Sequence, residues 1–104
     1  MDYCMILTTC PDNESAKKLA AMLVESQLAA CVQLSSVTSF YCWQNQQHAD
    51  PEIRLVIKTR CCLYPKVEAF ITAHHSYDVP QIVQIPIDKG SKAYLDWMDQ
   101  NTVS

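Results

Sequence analysis

Hydrophobic and polar residues follow two different spacings along the chain, and strand-type spacing comes first. Four segments are rich in apolar and β-branched residues and are bounded by polar turn residues, which is typical of strands. They comprise residues 3–9, 29–43, 52–61 and 81–87. In 52–61 the alternation is cleanest, with Ile53, Leu55 and Ile57 on one face. These segments predict four strands.

Helical spacing fills the intervals between the strands. Residues 13–28 place apolar side chains three and four positions apart, and Asp12 or Asn13 can cap the start of this helix. Residues 63–75 repeat that spacing, and a short amphipathic segment follows Gly90. The chain therefore predicts two long helices and one short C-terminal helix.

Three local features add detail to the prediction of the strands. The second strand is long and carries Ser35 and Ser36 in its middle, which predicts a bend or bulge. The sequence QNQQHADP at 44–51 predicts a polar turn that joins strands two and three as a hairpin. Pro86 predicts that the last strand lies at an edge of the sheet, because proline cannot donate a ladder hydrogen bond.

The predicted order βαββαβ indicates an α+β fold of the ferredoxin-like type. Right-handed crossovers would give an antiparallel four-stranded sheet with two helices on one face. The strands carry more apolar side chains than one covered face requires. They are Met5, Leu7, Val32, Leu34, Phe40, Tyr41, Trp43 and Val56. We therefore expect the second face to be buried by self-association.

Composition narrows the classes of function. The 104 residues predict one domain, 1–104, and the net charge of −3 argues against a nucleic-acid partner. No apolar run approaches the roughly 20 residues of a membrane span. The sequence MDYCMILTT at the start does not resemble a signal peptide, so we expect a cytosolic protein without membrane contact.

Cysteine and glycine usage exclude several common sites. The six cysteines form no CxxC pair, so we expect mostly reduced thiols packed as small hydrophobic side chains rather than a disulfide framework. The single glycine, Gly90, excludes the GxGxxG and P-loop motifs that bind nucleotide phosphates.

Two groups of side chains are candidates for chemistry. His74 and His75 could bind a metal such as copper, with Cys10 as a thiol ligand, or could simply end a helix and pack. Nothing pairs a cysteine with a catalytic base in a recognisable local signature, so we do not expect a Cys–His hydrolase. Lys58 could bind an anion or form an ion pair across an interface. The aromatic residues could line a cleft or serve in packing; they are Tyr41, Trp43, Tyr77 and Trp97.

Six motifs, in order along nearly the whole chain, resemble the CutA family of divalent-cation tolerance proteins. They are TTCPD at 8–12, LAACV at 28–32, TSFYCW at 38–43, KTR at 58–60, HHSYDVPQI at 74–82 and YLDW at 94–97. The resemblance implies a homotrimer, similar in architecture to the PII signalling proteins, whose strands two and three pair between subunits.

The resemblance also implies binding of divalent copper, with His75 and its neighbour His74 as ligands and no catalytic residue. Some members place a metal-binding cysteine at a position that here resembles Thr8, and Cys10 lies two residues later on the same strand face. Asn45 stands where the family has glycine, and asparagine tolerates left-handed backbone.

Three functions follow as hypotheses. The first is a cytosolic, trimeric, non-enzymatic protein that binds copper and supports cation tolerance. The alternative is a PII-like sensing or signalling trimer that binds an anionic metabolite in an inter-subunit cleft, with Lys58 beside the four aromatic residues. The third is a structural or docking protein whose clefts bind nothing.

Overall fold

Antiparallel pairing of four strands organises the computed structural model, which describes residues 2–103. The strands are β1 (Tyr3–Cys10), β2 (Cys31–Trp43), β3 (Gln46–Arg60) and β4 (Val83–Ile87). The helices are α1 (Asn13–Glu25), α2 (Tyr64–His74) and α3 (Lys92–Gln100), with a 3₁₀ turn over Cys61–Leu63 before α2. The strand order is β2-β3-β1-β4. The predicted α+β order and antiparallel sheet are confirmed.

The core lies between one face of the sheet and two helices. On β1 and β3 the buried side chains alternate, and Ile6 is directly opposite Ile57. Leu19 and Leu23 of α1 and Ile71 of α2 belong to the same core cluster. Full burial of each such aliphatic side chain stabilises the fold by about 1.5–3 kcal/mol. The prediction of two helices on one face is therefore confirmed.

The short helix α3 lies on the opposite face of the sheet, which we call the open face. Tyr3 and Arg60 project there, because the intervening alternate residues are buried in the core. The Tyr3 hydroxyl donates to the Asp99 carboxylate of α3 at 2.7 Å, and the Arg60 guanidinium lies 4.0 Å from it. Met98 of α3 is fully buried. One end of the open face is thus covered by the chain itself.

The helix ends have clear local causes. The Asp12 carboxylate accepts from the Ser15 backbone N–H at 2.8 Å and caps α1, as predicted for Asp12 or Asn13. The helix ends at Glu25 rather than at residue 28, because Gln27 adopts a left-handed conformation with φ of 59°. The Leu28 N–H then donates back to the Leu23 carbonyl.

The hairpin of β2 and β3 departs from two predictions. Ser35 and Ser36 pair one to one with Arg54 and Ile53, so the predicted bulge is wrong, and a bend at these residues stays a prediction. The predicted turn over 44–51 shrinks to residues 44–45, since residues 46–51 pair with β2 and belong to β3. Cross-strand hydrogen bonds to β2 satisfy the backbone groups of residues 46–51. The polar side chains of this stretch do not by themselves indicate a strand.

The hairpin turn itself requires a left-handed backbone at two positions. Gln44 has φ of 52° and Asn45 has φ of 64°, the signs of a type I′ turn. The expectation that Asn45 tolerates left-handed backbone is confirmed. Within residues 2–103 the strand β4 pairs with β1 alone and carries Pro86, so the predicted edge position is also confirmed.

Candidate functional site

A cleft of about 600 Å³ lies on the open face, at the end away from α3. Ser39, Tyr41 and Trp43 line it from β2, since side chains two residues apart project from the same face. The segment 76–81, which follows α2, forms the opposite wall. Tyr77 contributes its ring from that segment. Three of the predicted cleft residues, Tyr41, Trp43 and Tyr77, are therefore brought together.

Glu52 connects the two walls of the cleft. One carboxylate oxygen accepts from the Ser39 hydroxyl at 2.7 Å, and the other accepts from the Tyr77 hydroxyl at 2.6 Å. Burial and the hydrogen bond to Glu52 raise the pKa of Tyr77 above its ordinary value of 10.0, so the phenol stays protonated at neutral pH. Two charge-assisted hydrogen bonds thus fix the carboxylate within the cleft.

The Asp50 carboxylate orients the ring of Tyr41. The Tyr41 hydroxyl donates to the Asp50 carboxylate at 2.6 Å, and this bond raises the pKa of Tyr41. On its other side Tyr41 stacks against His48, with ring centroids 5.1 Å apart. Both partners belong to β3, and Tyr41 lies directly opposite His48 in the hairpin. The hairpin therefore holds its own aromatic residues in place.

His75 anchors the segment 76–81 to the sheet. Its Nδ1 accepts from the Tyr77 backbone N–H at 3.1 Å. A neutral imidazole then carries its proton on Nε2, which donates to the Thr9 carbonyl at 2.6 Å. Both ring nitrogens are engaged, so His75 positions the wall of the cleft and has no lone pair free for a metal in this arrangement.

His74 projects differently from its neighbour. Its Nδ1 donates to the Phe70 carbonyl one turn earlier at 2.8 Å, and its ring stacks on Phe70 at 4.3 Å between centroids. His74 is solvent-exposed, and its Nε2 carries the lone pair. A ligating histidine commonly donates its other N–H to a carbonyl in this way. Of the two candidates, His74 has the geometry of a ligand.

Cys10 and Thr8 both lie on the core face of β1. Cys10 is 3% exposed, and burial raises the pKa of its thiol, whereas a metal ligand must be a thiolate. The Thr8 hydroxyl is fully buried and has no hydrogen-bond partner. Within residues 2–103 no group of three histidine, cysteine or acidic side chains is arranged to hold a metal ion. The three predicted metal residues do not converge, and their role stays a prediction.

Lys58 and Trp97 lie at the other end of the open face, apart from the cleft. The Lys58 ammonium is 5.5 Å from the centre of the Tyr94 ring, and Tyr94 is in turn 5.5 Å from Trp97 between centroids. Six residues of strand separate Lys58 from Glu52, which corresponds to about 20 Å. Lys58 and Trp97 were predicted to line a cleft together with Tyr41, Trp43 and Tyr77, and their role as ligand residues stays a prediction.

The sequence and fold of the chain are similar to those of one known protein family. The family model described as CutA1 divalent ion tolerance protein matches residues 4–101. The chain belongs to this family. The resemblance seen in the sequence motifs is thereby confirmed for almost the full chain.

Relatives of the CutA family share over a third of the sequence. The divalent-cation tolerance protein CutA of Thermus thermophilus is 42% identical over 99 residues, which cover 94% of this chain and 96% of that protein. Protein CutA of mouse is 38% identical over 97 residues, which cover 92% of this chain. The match spans only 55% of the mouse protein, so the chain covers about half of that relative's length.

Solved CutA structures superpose on the chain over nearly all of its length. The periplasmic divalent cation tolerance protein CutA from Archaeoglobus fulgidus gives a TM-score of 0.94 at 37% identity, covering 95% of this chain and 97% of that one. The Thermus thermophilus structure gives 0.93 at 41% identity, covering 97% and 99%. The architecture is therefore that of the CutA family.

Sequence reasoning missed several residues that shape the cleft. Glu52 was predicted as the first residue of strand three, next to the predicted turn 44–51, and was not placed in the cleft. Thr9 and Ser39 contribute through their strand positions, which alternation alone could have indicated.

No helix within residues 2–103 is long and apolar enough to cross a membrane.

Proposed function

We propose that this chain is a non-enzymatic protein that supports tolerance to divalent cations by binding copper, as an assembly of three copies. Membership of the divalent ion tolerance family supports the cation-related role. The orientation of His74 carries the site: the ring donates to Phe70 and leaves Nε2 exposed to solvent. Imidazole nitrogen is a suitable ligand for Cu(II).

The binding site that we propose is simple. His74 supplies one imidazole, and water completes the coordination, since no group of three side-chain donors is arranged within residues 2–103. His75 would need to give up the N–H of Tyr77 before its Nδ1 could bind copper. We therefore expect binding that is weak and dominated by His74.

Competition between the protein and a chromophoric chelator for Cu(II) tests this proposal. His74→Ala should abolish most of the binding, whereas His48→Ala, the third histidine of the chain, serves as the matched control and should leave it unchanged. Cys10→Ser should also leave it unchanged, because the thiol is buried and protonated. Unchanged copper affinity in His74→Ala would overturn the site, and weakened binding in Cys10→Ser would restore the thiol ligand.

The trimer in this proposal rests on surfaces that one copy leaves uncovered. Residues 46–52 of β3 pair with β2 alone, so the hairpin continues beyond the four-stranded sheet as a two-stranded ribbon. Such a ribbon is marginally stable by itself. Val83 and Ile85 of β4 are 43% and 39% exposed on the open face. In a trimer, pairing of the hairpins between copies would stabilise the ribbon, and contact between copies would bury Val83 and Ile85.

Light scattering coupled to gel filtration measures the assembly. We expect three times the chain mass of 11.8 kDa, and a particle of one chain mass would overturn the trimer.

A cytosolic location is a further part of the proposal, although the Archaeoglobus relative is described as periplasmic. Fractionation of cells that express the chain tests the location, and recovery outside the cytosol would overturn it.

The geometry does not favour the alternative of an anionic metabolite in the cleft. Among the described residues that line it, two are acidic, Glu52 and Asp78, and none is lysine or arginine. The cation expected to bind the anion, Lys58, contacts Tyr94 at the other end of the face.

A further inference from the structure

Two of the six cysteines, Cys4 and Cys61, lie next to each other where β3 ends. In the register of β1 and β3, Cys4 is opposite Thr59, and Cys61 comes two residues after Thr59. The Cys61 N–H donates to the Asp2 carbonyl at 2.8 Å, which continues the ladder beyond Arg60. Cys4 and Cys61 are therefore diagonal neighbours across two paired strands.

The two thiols meet within the helix-covered core. Cys4 is fully buried in the core cluster, and the half-buried Cys61 packs against that cluster. The two side chains are in hydrogen-bond contact. Burial, followed by the neighbouring Cys61, raises the pKa of the Cys4 thiol, so Cys4 stays protonated at neutral pH. Two thiols in direct contact are the starting arrangement for a disulfide.

The trimer proposed above does not cover this pair. It uses the open face and the ribbon formed by residues 46–52, at the beginning of β3. Cys4 belongs to the core on the other face of the sheet, and Cys61 follows the last residue of β3. Self-association through those surfaces therefore leaves Cys61 open to small reagents.

Other cysteines are poorly placed to compete for either thiol. Cys62 is adjacent to Cys61, and consecutive Cα atoms are about 3.8 Å apart, which is less than the roughly 4.4–6.8 Å usual across a disulfide. Cys10 lies on the same strand as Cys4, but six residues further along, which corresponds to about 20 Å. Cys4 is thus the thiol that Cys61 is placed to meet.

We propose that Cys4 and Cys61 are a site of reversible oxidation, at which a hydroperoxide converts the two thiols into an intramolecular disulfide. The half-buried Cys61 sulfur attacks the peroxide, the O–O bond breaks, and a sulfenic acid and an alcohol form. The Cys4 sulfur then attacks the Cys61 sulfur, and the sulfenic hydroxyl leaves with the Cys4 proton as water. The two thiols lose two electrons, which reduce one hydroperoxide. The disulfide is uncharged and therefore suits the apolar core.

Hydrogen peroxide is a suitable probe. The full chain receives one equivalent at neutral pH, with a metal chelator present so that copper takes no part. The chain is then unfolded in urea and its free thiols are blocked with iodoacetamide before the intact mass is measured. We expect four alkylated thiols in the oxidised chain and all six in the reduced chain, and dithiothreitol should restore all six.

Variants assign the bond to this pair. Cys4→Ala and Cys61→Ala should each abolish it, and Cys61→Ala keeps the test valid if loss of the buried Cys4 prevents folding. In Cys4→Ala the sulfenic acid of Cys61 has no partner, so dimedone should label it more strongly than in the wild type. Cys10→Ala is the matched control, because Cys10 is also a buried residue of β1, and should leave the bond unchanged. Circular dichroism checks that each variant is folded.

The bond should also stabilise the chain. Cys4 and Cys61 are 57 positions apart, and a crosslink that closes so long a loop restricts the unfolded state. At one protein concentration we expect oxidation to raise the melting temperature of the wild type by at least about 5 °C. A lower melting temperature would show that the bond forms only in a distorted chain, and would overturn the pair as a native site.

Several other results would overturn the proposal. They are six thiols that still react with iodoacetamide after peroxide treatment, a bond that persists in Cys4→Ala or Cys61→Ala, a bond that is lost in folded Cys10→Ala, and a disulfide that links two chains. None of these results changes the outcome of the copper competition with His74→Ala, so the two proposals fail separately.

Discussion

The hydrogen bond between Tyr77 and Glu52 should make a measurable contribution to stability, and Tyr77→Phe removes it with little change in shape. The phenol donates at 2.6 Å to a carboxylate that also accepts from Ser39. Hydrogen bonds to charged groups contribute about 1.5–3 kcal/mol when buried. Tyr77 is 37% exposed, and solvent screens the interaction, so we expect a loss of about 1 kcal/mol in the free energy of unfolding.

Urea denaturation followed by circular dichroism measures this loss, with all variants at one protein concentration because assembly contributes to apparent stability. Tyr64→Phe is the matched control, since its hydroxyl donates at 3.1 Å to the exposed Glu68 within the same helix. A double-mutant cycle with Glu52→Gln isolates the pair. If Tyr77→Phe costs no more than Tyr64→Phe, the argument that this bond fixes the cleft is wrong.

The same bond sets a pH dependence with a definite sign. Burial and Glu52 raise the pKa of Tyr77 in the folded chain above the ordinary 10.0. The folded state therefore retains the proton where the unfolded state loses it. The contribution is fully present below pH 10.0 and declines as the pH rises above it. Wild type and Tyr77→Phe should accordingly converge in stability at strongly alkaline pH.

Three further predictions concern the turn, the thiols and the core. Asn45→Gly should raise the free energy of unfolding, by less than about 1 kcal/mol, because glycine adopts the left-handed φ of 64° without strain; a lower melting temperature would contradict this. Iodoacetamide should modify the exposed Cys62 before the buried Cys4, because burial raises the pKa of Cys4 to about 12. Mass spectrometry measures the order of modification, and earlier modification of Cys4 would contradict the prediction. Leu55→Ala should cost about 2–5 kcal/mol in urea denaturation, since the side chain is fully buried, and a loss below that of Tyr77→Phe would contradict it.

Most of the fold could be predicted because its periodicities are strong. Ile53, Leu55 and Ile57 alternate on β3, and all three are buried against the helices. The polar residues 46–51 misled the prediction, since their strand conformation comes from pairing with β2 rather than from their own propensity. Pro51 is tolerated there because β1 begins to pair with β3 only at Ile53.

The candidate site was less predictable than the fold. Tyr41, Trp43 and Tyr77 were identified as cleft residues by their aromatic character, and topology brings them together. Lys58 was included for its charge, but its position on the strand separates it from Glu52 by about 20 Å. Alternation along β1 could have placed Thr9 on the cleft face, but the contacts of His75 with Thr9 and of Tyr77 with Glu52 span 66 and 25 positions of sequence. Such contacts leave no local pattern in a sequence.

Adjacent histidines illustrate why residue type alone does not assign a role. For His75 to bind a metal through Nδ1, the Tyr77 N–H must leave it, and the wall that holds the Tyr77 ring and its bond to Glu52 must move. Metal binding at His75 would therefore compete with an ordered cleft. His74 carries no such linkage, because its Nδ1 donates within α2 and its Nε2 is directed away from that bond. Copper at His74 would therefore leave the walls of the cleft in place.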